Sequence, residues 1–195
     1  IQKLGVEIKT GVQVGKDTTL EKLKKNYDAI FVAVGAHGGM KLGVEGEDIP
    51  GVMEGIGFLR AISLGKKVNV GKKVAVIGGG NTAIDCARTA KRLGAKEVTI
   101  VYRRSREELP ARQEEIENAE EEGIVCKFLA APTRFVGDEK GWVKQMECIC
   151  MELGAPDESG RRRPVPVKGS EFVMDVDTVI VAIGRTPNPI IQRTT

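Results

Sequence analysis

The stretch VAVIGGGNTAIDCARTAKRLGAKEVTIVYRR, from Val74 to Arg104, decides how this chain folds. The apolar run "KKVAVIG" (72–78) reads as a strand that feeds straight into a glycine cluster. A helix follows from about Asn81 to Leu93, with Ala83, Ile84, Ala87 and Ala90 on one face. Arg88, Lys91 and Arg92 lie elsewhere, toward the end where the helix dipole favours cations, and Gly94 suits the C-cap. "EVTIVYR" (97–103) is the next strand. Strand, glycine turn, helix and second strand in this order make the unit that binds a dinucleotide.

Gly78, Gly80 and Ala83 form G-x-G-x-x-A. Gly78 permits the tight turn, Gly80 removes the side chain that would bar a pyrophosphate, and Ala83 lets helix and strand approach. The helix N-terminus then offers free N–H groups to phosphate, and either Asn81 or Thr82 can cap that end or bind a phosphate oxygen. About 20 positions on, such a unit usually carries an acid that holds a ribose hydroxyl. Arg103 and Arg104 stand there instead. A carboxylate would repel a 2′-phosphate, whereas guanidinium groups bind it in bidentate fashion. The expected ligand is therefore NADPH rather than NADH. Arg106 is either a helper or a surface charge.

Outward from this unit, "VEIKTGVQV" (6–14) reads as strand or extended chain and "TTLEKLKKNY" (18–27) as a short amphipathic helix. "DAIFVAVG" (28–35) reads as a buried parallel strand. "GVEGEDIPGV" (43–52) is a connector and candidate boundary, with a short helix over about 55–64 after it. Downstream, Pro110 is placed as the first residue of a helix that ends at Gly123 and whose glutamates form a solvated face. Strands are expected over 124–129 and 142–153, a loop over 154–170, and closing strands over 171–184. "YDAIFVAVGA" (27–36) and "VDTVIVAIGR" (176–185) echo each other: an acid, an apolar run, then Ala-x-Gly. Either both strands bring a ligand close to a glycine backbone, or the echo is coincidence.

The 195 residues allow one ordinary domain, or one plus part of another. Hydrophobic residues at 41% support a core, aromatics at 4% argue against stacking on single-stranded nucleic acid, and a net charge of +3 implies neither DNA nor membrane as a partner. Four cysteines without metal or disulfide spacing, and no apolar run near membrane-spanning length, point to a reducing, cytoplasmic setting. The chain opens on Ile1, as if cut from something longer. No catalytic triad or carboxylate pair is evident, and the lone His37 is given no catalytic role. Cys148 and Cys150 read as packed thiols. Arg161, Arg162 and Arg163 read as a solvated hairpin tip, with protein docking as the alternative. The absence of acid–base machinery suits hydride transfer to a flavin, in which the cofactors carry the chemistry.

"DAIFVAVGA", "GVEGEDIPGV", "VIGGGNTAIDCARTAKRLGA", "VTIVYRRSREELPA" and "DTVIVAIGRTPNP" together resemble the small (beta) subunit of NADPH-dependent glutamate synthase and its relatives. Those relatives include NADPH:ferredoxin oxidoreductase subunits and the matching segment of dihydropyrimidine dehydrogenase. The resemblance covers nearly the whole chain. It implies an α/β, Rossmann-like three-layer dinucleotide-binding domain (parallel sheet, helices, antiparallel β-meander) set into a flanking FAD-binding domain. Residues 1–45 would be part of the FAD-binding domain, 46–186 the NADPH-binding domain and 187–195 the return segment. Gly79, Gly80, Asn81 and Thr82 would meet the pyrophosphate, Arg103 and Arg104 the 2′-phosphate, and Ala182, Ile183 and Gly184 the nicotinamide side.

The family's iron–sulfur cysteines, its first FAD glycine motif and its C-terminal Gly-Asp motif are absent from this sequence. FAD and iron–sulfur clusters are thus expected in a longer parent, with neither FAD binding nor turnover by this stretch alone. The implied partners are the rest of the parent and a large glutamate synthase or ferredoxin-linked subunit. A thioredoxin-reductase-like enzyme would need a Cys-x-x-Cys, which this sequence lacks. A non-catalytic NADPH-binding module is the alternative from another class.

Overall fold

A computed structural model describes residues 1–190, so the expected return segment falls, from 191 onward, outside the described residues. The chain divides into two compact units, one of Gly39–Arg185 and one of Ile1–Gly38 with Thr186–Thr195. Two-residue strands β1 (Gly38–Gly39) and β10 (Arg185–Thr186) lie where the chain passes between them.

The larger unit contains β2 (Val52–Glu54), α2 (Gly55–Ser63), β3 (Lys73–Ile77), α3 (Asn81–Arg92), β4 (Glu97–Tyr102), α4 (Gln113–Glu121) and β5 (Val125–Phe128). Then come β6 (Ala130–Gly137), β7 (Val143–Pro156), β8 (Arg162–Asp175) and β9 (Thr178–Val181). A parallel sheet runs in the order β2-β9-β3-β4-β5, and β6-β7-β8 form an antiparallel meander. Side chains alternate across β3 as strand geometry dictates. Val74 and Val76 join Ile84, Ile100, Ile116 and Ile180 under the helices. Ala75 and Ile77 join Phe135, Met146, Val179 and Val181 against the meander. Helices, parallel sheet and meander are therefore three layers around two apolar seams, a Rossmann-like α/β architecture.

Three sequence expectations need correction in this unit. Pro110 does not open α4, which begins at Gln113. The N–H of Ala111 donates to the Gly79 carbonyl (3.2 Å) and that of Arg112 to Asn81 Oδ1 (3.0 Å), so these residues are tied to the glycine turn before the helix can start. The loop expected over 154–170 is mostly strand, because β7 runs to Pro156 and β8 begins at Arg162. Pro164 and Pro166 sit in β8 because it is an edge strand, which tolerates a residue without a donor. The glutamate face of α4 is partly ion-paired: Arg88 on α3 binds Glu115 (2.7 Å) and Glu122 (2.8 Å), and Arg92 binds Glu122 (2.7 Å).

In the smaller unit α1 (Leu20–Asn26) is capped by Thr19, whose hydroxyl accepts from the Lys22 N–H at 3.2 Å. The strand expected over 28–35 is not formed, and of the two readings of 6–14, strand or extended chain, the strand is not formed. A strand exists only as part of a ladder, and Val14 reaches no further than a single bridge to Thr18. Ile30, Phe31 and Val32 are exposed, Phe31 to 93%, so no covering layer fixes the run within this unit.

Ile100, fully buried in β4 between α3 and α4, is a test of the helical seam. Replacing it with Ala is expected to destabilise the protein by about 2–5 kcal/mol, read as a lower urea midpoint at unchanged slope.

Candidate functional site

The site forms where β3, β4 and β9 end on the same side of the sheet. Gly78 leaves β3 with φ +141°, and a Cβ there would lie 2.3 Å from the Ala182 carbonyl oxygen. A Cβ on Gly79 would lie 2.7 Å from Leu109 and the Tyr102 ring. Gly80 differs, because a Cβ on it would meet nothing nearer than Pro110 at 4.0 Å. Protein packing therefore forbids a side chain at Gly78 and Gly79, while the space beside Gly80 is open to a ligand. Ala83 is fully buried, and its Cβ would stand 3.3 Å from one on Gly78.

Gly80 is the N-cap of α3, and no side chain caps that end. The N–H groups of Asn81 and Thr82 are thus left for an anion, while those of Ala83 (2.8 Å) and Ile84 (3.2 Å) donate to the Gly80 carbonyl. Of the two residues left open as caps, Asn81 spends Oδ1 on the Arg112 N–H, and Thr82 Oγ1 accepts from Arg185 Nη2 at 3.1 Å. Ala182 donates its N–H to Ile77 (2.8 Å), and Gly184 accepts at its carbonyl from Met40 N (3.3 Å).

These groups line a cavity of about 780 Å³ within the larger unit. Gly78, Gly79, Gly80, Thr82, Arg103, Arg104, Ala182, Ile183 and Gly184 all contribute to its wall. Asn81 and Ala83 do not; they set the turn from behind. Five cations line the cavity, namely Lys41, Arg103, Arg104, Arg161 and Arg185, against one acid, Glu54. Glu54 turns its carboxylate onto the N–H groups of Ile56 (2.9 Å) and Gly57 (2.7 Å), capping α2. Such a wall selects a polyanion with an apolar part, since Ile56, Ile77, Val101 and Pro110 supply hydrophobic surface.

The two arginines after β4 have different surroundings. Arg103 is exposed. Arg104 is buried: its Nη2 pairs with Asp157 (2.5 Å) and its Nε donates to the Arg162 carbonyl (2.8 Å). Arg106 pairs with Glu120 on α4 and is not part of the cavity wall, so it is the surface charge of the two options.

The tip of the β7–β8 hairpin is not a freely solvated run of arginines. Arg162 Nε pairs with Glu108 (2.8 Å), in the turn that follows β4. That turn is held by Tyr102, whose buried hydroxyl donates to the Glu108 carbonyl at 2.8 Å, and by the Ser105–Glu108 capping box. The Ser105 hydroxyl and then Arg162 hold the Glu108 carboxyl below its ordinary range. Asp157 is likewise held low, by Ser159 first and by Arg104.

Sequence reading missed the roles of Tyr102, Leu109, Pro110, Arg161 and Arg185. Arg161 lay in a noted run, and Arg185 in a quoted motif, but neither carried a signal of direction. Cys86, Cys126, Cys148 and Cys150 are free thiols, with burial pushing Cys86 and Cys148 up to about 12. Among the described residues no three His, Cys, Asp or Glu side chains converge as a metal site, and no helix is long and apolar enough to cross a membrane.

The lowered pKa of Glu108 has a definite sign. Its contribution is present above the ordinary carboxylate pKa and lost as pH falls through the depressed value. Glu108→Gln is therefore expected to lower the thermal midpoint at neutral pH, with the gap from the unaltered protein closing as pH falls below roughly 4.

Residues 1–194 match the pyridine nucleotide-disulphide oxidoreductase family. The chain is 52% identical over 191 residues to the NADPH-Fe(3+) oxidoreductase subunit beta of Geobacter sulfurreducens, covering 96% of itself and 28% of that protein. It is 50% identical to the NADP(+)-dependent formate dehydrogenase subunit beta of Moorella thermoacetica (95% and 26%). To the glutamate synthase [NADPH] small chain of Escherichia coli it is 40% identical (95% and 42%). The chain thus spans well under half the length of these curated relatives. In fold it is similar to Mycobacterium tuberculosis FprA in complex with NADPH, with a TM-score of 0.78 at 22% identity over 92% of this chain and 55% of that one. A sheet that ends on paired glycine turns and carries a basic cavity is thereby placed: the chain belongs to the pyridine nucleotide-disulphide oxidoreductase family.

Proposed function

We propose that this chain is the NADPH-binding part of a flavin-dependent oxidoreductase of the glutamate synthase small-subunit type. The observation that carries the reading is one cavity in which an uncapped helix N-terminus, an unobstructed glycine and an exposed arginine meet. NADPH fits that donor set. Its pyrophosphate would rest at Gly79, Gly80, Asn81 and Thr82, where N–H groups and the α3 dipole compensate its charge. Its 2′-phosphate would lie at the arginine end, with Arg103 as a bidentate donor and Arg104 behind it. Its nicotinamide would face Ala182, Ile183 and Gly184, where Met40 Sδ packs against the bare Gly184 Cα.

When bound, NADPH supplies a hydride, and a flavin is the partner that accepts it. The chain's own work is to orient the nucleotide and to keep the nicotinamide edge free. FAD would be held by other parts of the protein, of which residues 1–45 and 187–195 are a piece. The exposed run around Phe31 supports this, since an apolar run ending in glycine suits a strand awaiting its sheet. Iron–sulfur clusters would likewise lie outside this stretch.

The identity of the electron acceptor is a property of the remainder. Relatives named for Fe(3+) reduction, formate oxidation and glutamate synthesis all match over almost the whole of this chain. The part they have in common with it is the part that would take the nucleotide. A subunit of a larger assembly, as those relatives' names describe, is the setting we infer, in the cytoplasm where NADPH is made and used.

Arg103→Ala is expected to weaken NADPH binding about 10- to 100-fold, the value of one charge-assisted contact at roughly 1.5–3 kcal/mol, with NADH binding nearly unchanged. Titration of both nucleotides decides it, and an equal loss for the two removes the 2′-phosphate from this end of the cavity. Flavin absorbance in the purified protein separates the oxidoreductase from a non-catalytic nucleotide-binding module.

A further inference from the structure

We propose that Arg161, at the tip of the β7–β8 hairpin, is a specificity-determining residue that meets the 2′-phosphate together with Arg103, while Arg104 is the positioning residue that holds the hairpin in place. The proposal rests on reading the cavity as an NADPH site. It changes which guanidinium groups do the selecting.

Of the five described cations of the cavity wall, three are committed elsewhere. Lys41 Nζ is engaged by Asp48 at 2.5 Å. Arg185 reaches to Thr82 at the start of α3, which is the pyrophosphate end. Arg104 is buried, with Nη2 on Asp157 and Nε on the Arg162 carbonyl. A buried guanidinium so committed gives up the half-buried Asp157 carboxylate if it turns to a ligand, and breaking such a pair is costly. Two remain. Among the described residues Arg103 has no side-chain partner, and Arg161 uses only Nε, on Ser159 Oγ at 3.0 Å. The Nη groups of Arg161 are therefore uncommitted, and the residue is half-buried against the cavity rather than extended into solvent.

The hairpin presents Arg161 on a braced backbone. The Arg161 carbonyl accepts from Asp157 N at 2.8 Å, which closes the turn. Asp157, at one end of the turn, is fastened to Arg104, and Arg162, the next residue in sequence, is fastened to Glu108 and to Arg104. Both anchors belong to the segment just after β4, the segment that also carries Arg103. The tip and the segment that carries Arg103 are thus fastened together by ion pairs. An arginine already restrained in this way gives up less freedom on binding than one on a free loop. Arg163, the third residue of the run, is exposed and does not line the cavity, so the run divides into one selector, one anchor and one solvated charge.

The experiment titrates 2′,5′-ADP and 5′-AMP by calorimetry into the protein and its Arg161→Ala, Arg161→Lys and Arg103→Ala variants, with thermal melting as a check on folding. Arg161→Ala is expected to lose about tenfold or more in affinity for 2′,5′-ADP and nothing for 5′-AMP, with Arg161→Lys in between, as the loss of a charge-assisted fork requires. An Arg161→Ala variant that retains full 2′,5′-ADP affinity, or that loses both ligands equally, overturns the role of Arg161 while leaving the cavity reading intact. An unaltered protein with no preference for 2′,5′-ADP overturns the cavity reading, and this inference with it.

Discussion

The close approach of two strand ends at Gly78 is the constraint on which the rest of this structure depends. β3 and β9 are neighbours in the parallel sheet, and both must turn sharply as they leave it. With a Cβ on Gly78 only 2.3 Å from the Ala182 carbonyl, the two exits could not pass side by side. The glycine therefore sets three things together. It lets α3 begin at Asn81 with the N–H groups of Asn81 and Thr82 unspent, it puts Ala182 to Gly184 on the same wall as the turn, and it opens the crevice between them. A ligand site at the carboxyl ends of parallel strands follows from that geometry.

A second constraint is electrostatic. Arg104 is buried, and burial of a lone guanidinium would be prohibitive without a partner. Asp157 and the Arg162 carbonyl answer that demand from the meander, 53 and 58 residues along the chain. The pairing joins the segment after β4 to the meander at the cavity's edge. Charged groups here fix position more than they add stability, in keeping with the role of ion pairs as registering devices.

The fold was largely legible in the sequence because the central unit is locally self-consistent. The β3–α3–β4 segment carries its own period, cap and turn signals, and its elements lie where those signals place them. The paired runs "YDAIFVAVGA" and "VDTVIVAIGR" show where legibility ends. The second forms β9, buried on both faces between β2 and β3. The first has the same pattern and forms no strand. An apolar run states only that it can be buried, and whether it becomes a strand depends on neighbours remote in sequence. The prolines of β8 misled for the converse reason. They mark a loop in a central position and are harmless at an edge, and edge status is a fact of topology.

The site was legible in its chemistry and less so in its directions. Arg103 and Arg104 read as a pair because they are adjacent, yet they follow the end of β4 in a bend and have different surroundings: Arg103 is exposed beside the cavity, whereas Arg104 is buried against the hairpin. A doublet at such a place is therefore better read as one residue for the ligand and one for the scaffold. The second guanidinium for a phosphate has then to come from elsewhere in the chain. Among the described residues the only cation of the cavity wall borne on the meander is Arg161, on the hairpin that the buried arginine grips.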